Sequence, residues 1–318
     1  MTRSSAGHVR SRRRVLLRRR VLIAGAVLAF AGLAPVTTAT GGQTKSYVAL
    51  GDSYTAGPII ATQQQDPVGC FRSDHNYPRL VAAALQVPVF RDASCSGAAT
   101  EDMTAPQAVN PGPANPPQLD RLDKSTQLVT VGIGGNDIGF EEIVRACATA
   151  DRSSTPCQDR YFRGSHDEIN DRIAKTGTKI GDVLKGIRKR SPKARVFVVN
   201  YLSILPETGS GCWPQVPFAD ADVPYLRAKQ HELNAELAKQ ARAKKAKLVD
   251  AFRASMGHDA CQASGVRWVE PIIGFSGAAP LHPNQLGMEC TAVAALAVIS
   301  PRTPTEGLCK PPAVVESP

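Results

Sequence analysis

The 318-residue chain carries a formal net charge of +10, but eight of its arginines lie in residues 1–39, which hold no acid. The remaining stretch of about 280 residues is close to neutral, near +2, so net charge excludes a nucleic-acid partner as the reading of the high isoelectric point. That length is ample for one large α/β domain.

The first predicted element is a targeting segment. Arg3, Arg10, Arg12, Arg13, Arg14, Arg18, Arg19 and Arg20 precede an apolar run from Val21 to Ala34, and Thr37-Thr38-Ala39 supplies small residues for cleavage near Ala39. Charged, apolar and small segments in that order read as a secretory signal. The apolar run is short for a membrane span. Paired arginines before it also allow twin-arginine export. Residues 1–39 are therefore a signal peptide, 40–309 the folded domain and 310–318 a Pro-rich tail.

Beyond it, strands are expected at 46–52, 87–91, 128–133, 194–200 and 246–250, and helices near 77–86, 137–148, 166–190, 224–243 and 285–298. Ile169, Ile173, Ile180, Leu184 and Ile187 recur at helical spacing and mark a core-facing stripe. Alternating strands and helices predict a parallel, doubly wound sheet of flavodoxin-like order. The segments 58–76 and 202–223 are longer than ordinary connections, as loops around a site are.

The chemistry sits where these strands end. Tyr47-Val48-Ala49-Leu50 runs into Gly51-Asp52-Ser53-Tyr54, which places the Ser53 hydroxyl at the carboxyl end of a strand and the start of a helix, where open α/β sheets collect their reactive groups. As plain turn chemistry Gly-Asp-Ser is equally at home. What favours a nucleophile is the company: Cys95-Ser96-Gly97 after the second strand, Gly134-Gly135-Asn136-Asp137 after the third, and His282 in Pro280-Leu281-His282-Pro283 near the C-terminus. Acyl transfer needs a nucleophile, a base within hydrogen-bond reach, and donors aimed at the developing oxyanion. Ser53 and His282 supply the first two; the backbone N–H groups of Ser53 and Gly97 and the Asn136 amide supply the third. Asp52 and Asp137 are expected to hold turn backbones, and His75, His166, His231 and His258 to be structural or solvated. Trp268 has two readings, as a lining of an acyl pocket or as packing beneath the His282 loop.

These blocks resemble the SGNH (GDSL) hydrolase superfamily, whose Ser, Gly, Asn and His occur in this order. The likeness spans roughly residues 46–298 and is greatest to the secreted actinobacterial lipases and phospholipases A, which share Asp222-Val223-Pro224-Tyr225-Leu226-Arg227, Gly257-His258-Asp259-Ala260-Cys261 and Arg267-Trp268-Val269-Glu270-Pro271. The resemblance implies an SGNH-hydrolase three-layer sandwich with a five-stranded parallel sheet, and a serine esterase acting on lipid esters without metal or other cofactor. It departs at one point. The family's last block often reads Asp-x-x-His, whereas Ala279 stands three before His282 and no acid lies between Pro271 and Glu289. A Ser–His dyad is expected, with the carbonyl of Ala279 or Pro280 orienting the imidazole.

The eight cysteines all follow the signal, and an even count in an exported chain reads as disulfides. Sequence alone leaves 105 connectivities. The resemblance implies Cys70–Cys95, Cys147–Cys157 and Cys212–Cys261, with Cys290–Cys309 remaining. The expected partners are an ester lipid and, transiently, a lipid surface or micelle, met by a monomer; nucleic acid is not among them. A carbohydrate or cell-wall O-acyl esterase is the rival enzyme, and a secreted binding protein with a vestigial site the rival from another class.

Overall fold

The computed structural model describes residues 43–310; the expected signal peptide, 1–39, and all but the first residue of the expected tail, 310–318, lie outside the described residues. Five strands are wholly parallel: β1 Ser46–Gly51, β2 Val89–Asp92, β3 Leu128–Gly132, β6 Arg195–Val199 and β7 Lys247–Val249, in the order β2-β1-β3-β6-β7. A two-rung hairpin, β4 Phe162–Arg163 with β5 His166–Asp167, stands apart. Leaving that hairpin aside, the sheet has the flavodoxin-like order. Every residue of β1 and of β3 is buried, as a central parallel strand covered on both faces requires.

Helices α2 Tyr77–Ala84 and α8 Gln285–Ile299 pack together, as do α5 Glu168–Arg190 and α6 Asp222–Ala243. Because parallel crossovers are right-handed and the chain moves one way from β1 to β2 and the other way from β3 to β7, the two pairs cover opposite faces. The stripe Ile169, Ile173, Ile180, Leu184 and Ile187 is the buried face of α5. Shorter helices, α3 Phe140–Cys147, α4 Pro156–Tyr161 and α7 Ala251–Ala254, fill the connections.

Register brings the sequence blocks together. Leu50 pairs with Val131 and Gly51 with Gly132, so the turns after β1 and β3 emerge side by side. The ladder to β2 extends past its end through Ala93 N–H to Ala49 O and Cys95 N–H to Gly51 O, which draws Cys95-Ser96-Gly97 to the same edge. Gly51 is required by close approach: a Cβ there would lie 2.2 Å from Thr55 Oγ1 and 2.6 Å from Gly132 O.

All eight cysteines are paired, Cys70–Cys95, Cys147–Cys157, Cys212–Cys261 and Cys290–Cys309. The first and third tie segments that follow strand ends, the second joins α3 to α4, and the fourth anchors the C-terminal segment to α8.

Candidate active site

Ser53 opens α1, Ser53–Ala56, a single helical turn. So short a helix has almost no macrodipole, and the local N–H groups carry the electrostatics instead. Asp52 caps the turn by accepting from Tyr54 N–H at 2.9 Å, and its other oxygen accepts from the Tyr201 hydroxyl. That hydroxyl in turn accepts from Gly135 N–H at 2.6 Å. The chain Asp52–Tyr201–Gly135 thus links the Ser53 turn to the Asn136 loop through a residue at the end of β6. Burial pushes the Asp52 carboxyl up to about 7, against the hydrogen bonds from Tyr201 and Tyr54 that favour its anion. From the other side, the buried Gln118 amide brackets Gly51, accepting from its N–H at 2.8 Å and donating to its carbonyl at 2.9 Å.

His282 Nε2 lies 2.8 Å from Ser53 Oγ. Its Nδ1 lies 2.8 Å from Pro280 O, a carbonyl that can only accept, so Nδ1 carries the proton and Nε2 is free to take one from serine. Of the two carbonyls considered, Pro280 receives the imidazole, while Ala279 O receives the His282 backbone N–H at 3.1 Å. Among the described residues no carboxylate contacts the ring. The rings of Tyr54 and Phe140 flank it instead, with centroids 5.2 and 6.3 Å away, and desolvation lowers its pKa from the ordinary 6.5.

The loop bearing His282 is held by backbone and by one buried acid. Leu281 N–H and O=C–Glu270 pair at 2.9 Å, Glu270 N–H and His282 O at 3.0 Å, and Leu281 O accepts from the Tyr54 hydroxyl. Leu281 adopts a left-handed φ of 57°, unfavourable for a branched side chain and maintained by these flanking bonds. The Glu270 carboxylate, 3% exposed as a residue, accepts from Arg267, Ser276 N–H and the Asn284 amide. It shapes the loop without reaching the imidazole.

The three candidate oxyanion donors lie in the turns after β1, β2 and β3. Neither Ser53 N–H nor Gly97 N–H has a partner among the described residues, and both sit at turns around the serine. Asn136 Nδ2 gives one hydrogen to Ala98 O at 2.8 Å and keeps its second. Asp137 binds Thr100 N–H at 2.9 Å and Lys179 at 3.1 Å, the structural role expected of it.

Beside Ser53 an apolar pocket runs across the ends of β1, β3 and β6 toward α5 and α6, walled by Ile138, Phe140, Ile143, Ile169, Leu205 and Phe218. Lys229 also lines it, and its ammonium is paired with Asp167 and Glu232, each at 2.8 Å. Trp268 does not line this pocket. It packs under the His282 loop and stacks on His258 with centroids 4.4 Å apart, the second of its two readings. His75, His166 and His231 lie on the surface beside Asp74, Asp171 and Glu207. No cluster of metal-ligating side chains occurs among the described residues. Sequence reasoning did not single out Tyr54, Tyr201, Gln107 or Gln118, whose importance comes from contacts 66 or more residues away, or in the case of Gln107 from a neighbouring turn.

Residues 49–290 match the GDSL-like Lipase/Acylhydrolase family. The chain belongs to that family and is a carboxylic ester hydrolase. It is 42% identical over 250 residues to Lipase 2 of Streptomyces coelicolor, covering 77% of this chain and 82% of the relative. Its fold superposes on the phospholipase A1 of Streptomyces albidoflavus NA297 with a TM-score of 0.63 at 25% identity, covering 80% of this chain and 99% of that one. The extracellular lipase of Streptomyces rimosus gives 0.62 at 27% identity with the same coverage.

Proposed function

We propose that this family member is a secreted lipase that cleaves long-chain ester lipids through a Ser53–His282 dyad and an acyl-enzyme. The observation that carries the reading is the 2.8 Å contact between Ser53 Oγ and His282 Nε2 at the mouth of an apolar pocket. Ser53 Oγ attacks the ester carbonyl while His282 Nε2 takes its proton and then delivers it to the leaving alcohol. Ser53 N–H, Gly97 N–H and the free hydrogen of Asn136 receive the oxyanion. Water activated by the same imidazole then releases the acid. The Pro280 carbonyl keeps the tautomer and offers a dipole, where a triad aspartate would offer a full charge.

The apolar walls favour an acyl chain over the small acyl groups of a sugar ester. The four disulfides and the arginine-rich, apolar start of the sequence support export, with cleavage near Ala39. Phospholipid cleavage belongs to the same proposal, since a pocket for the acyl chain is indifferent to what the alcohol carries. A panel of glycerides, phospholipids and acetylated sugars of graded chain length tests it. Preference for long acyl chains supports the reading, and acetyl esters hydrolysed best would overturn it. N-terminal sequencing of the exported protein should begin near Thr40.

A further inference from the structure

The geometry points to Gln107 as the positioning residue that sets the direction of the Gly97 N–H, and so completes the oxyanion hole. This rests on the proposed role of Gly97. Cys95-Ser96-Gly97-Ala98 closes on itself through Ala98 N–H to Cys95 O at 3.1 Å, and Gly97, third in the turn, has φ +78°. A four-residue turn with its third residue in that region is type II. Types I and II differ chiefly in the middle peptide, which is turned over by roughly 150–170° between them. Here that middle peptide joins Ser96 to Gly97. Its two polar atoms are Ser96 O and Gly97 N–H, and being trans across a planar unit they point in opposite directions.

Fixing one therefore fixes the other. Gln107 Nε2 donates to Ser96 O at 2.8 Å. Gln107 is 8% exposed, and its own backbone is held by paired bonds with Asn115, both at 2.9 Å. Its amide is also the nearest group to the missing Cβ of Gly97, at 3.7 Å. A turn inverted to type I would break the bond to Gln107, carry Gly97 N–H away from Ser53 and present a carbonyl oxygen in its place. The neighbouring anchors do not prevent this, because Ser96 N–H to Cys70 O and Ala98 N–H to Cys95 O belong to the peptides on either side. Gln107 never meets the substrate in this account. It acts through the peptide.

The experiment compares wild type with Gln107→Leu, which keeps the volume and removes the donor. The kcat should fall about 10- to 100-fold, no more than the ~10²–10³ that loss of one whole oxyanion donor costs, while KM holds. Affinity for an alkyl boronic acid, whose serine adduct puts an oxygen in the hole, should fall by the same factor as kcat/KM. Binding of the matching ether, which lacks the carbonyl, should not change. A folded Gln107→Leu protein with wild-type kcat and boronate affinity overturns the inference, as does an equal loss of ether binding, which signals general distortion. If Gln107→Leu does not fold, Gln107→Met carries the same test; failure of both to fold assigns Gln107 a structural role and also overturns the inference. Ser53→Ala separates the two levels: an active Ser53→Ala enzyme defeats the proposed mechanism itself, whereas an inactive one beside an unimpaired Gln107→Leu enzyme defeats only the role of Gln107.

Discussion

Around Ser53 the backbone is held by side chains from the connections that follow the strands, with Gln118 on Gly51, Asp52 on Tyr54 N–H, and Tyr201 joining Asp52 to Gly135. His282 sits instead on a long loop stitched by main-chain bonds to Glu270 and by the Tyr54 hydroxyl, and its imidazole leans on a peptide carbonyl. The nucleophile is positioned by a buried carboxylate that does not touch the base, and the base is positioned by a backbone dipole. Carboxylates in this site are thus spent on geometry. Under the proposed mechanism, the imidazolium formed in the reaction has the Pro280 carbonyl dipole at Nδ1 and no carboxylate in contact.

The largest expected effects fall on the two reacting groups themselves. Ser53→Ala and His282→Ala should each lower kcat by on the order of 10⁴–10⁶ with the fold intact by circular dichroism, and an organophosphonate should label wild type at Ser53, as peptide mass spectrometry reads directly. Labelling at any other serine would break the assignment. Next comes the oxyanion side: Asn136→Ala should cost about 10²–10³ in kcat, and a normal rate would remove Asn136 from the hole.

The comparison is sharpened most by the acids. If Pro280 O alone orients the base, then Asp52→Asn, Asp137→Asn, Asp250→Asn and Glu270→Gln should all fall short of the roughly 10⁴-fold loss that follows neutralising a true triad aspartate. Glu270→Gln, which loosens the loop, should cost no more than about 10². One folded variant as inactive as His282→Ala would show that an acid completes a triad.

The smallest effects lie in pH. His282 must be neutral to act and desolvation lowers its pKa, so the acid limb of kcat/KM should fall below 6.5. A limb above 6.5 would show a counter-charge at the imidazole. For stability the two regions have opposite signs. The depressed histidine binds fewer protons folded than unfolded, so its contribution is lost as pH falls below 6.5. The raised Asp52 retains its proton on folding, so its contribution is present below 3.8 and is lost as pH rises toward about 7. Thermal midpoints of Asp52→Asn across that range should lack the second slope, and an unchanged profile would show that Asp52 is not the group responsible.

The five strands and five major helices were legible because buried parallel strands leave apolar β-branched runs, and α5 leaves a stripe at helical spacing. The four motif blocks were legible because strand-end turns need glycine and small polar residues at particular places. The Asp52–Tyr201–Gly135 link, the Tyr54 hydroxyl on Leu281 O and the Gln118 bracket were not, since each is a tertiary hydrogen bond made by a residue type common anywhere in a core. Trp268 shows the same limit: its two readings differ only in which side of one loop the indole occupies. The choice between Ala279 and Pro280 likewise depended on loop geometry that local pattern does not encode.

Three of the disulfides have a meaning for this enzyme's history of change. Cys70–Cys95 joins the segment after Ser53 to the Gly97 turn, Cys147–Cys157 joins α3 to α4, and Cys212–Cys261 joins the 202–223 segment, with its pocket-lining Ile204, Leu205 and Phe218, to the approach to His282. None of the three staples has a foot in a strand. The perimeter of the pocket is therefore cross-linked covalently, whereas the sheet beneath it carries no disulfide and is held by its ladders and by burial. Insertions or deletions in the lengths of chain between the staples are expected to reshape the pocket wall while leaving Ser53, His282 and the strands in place.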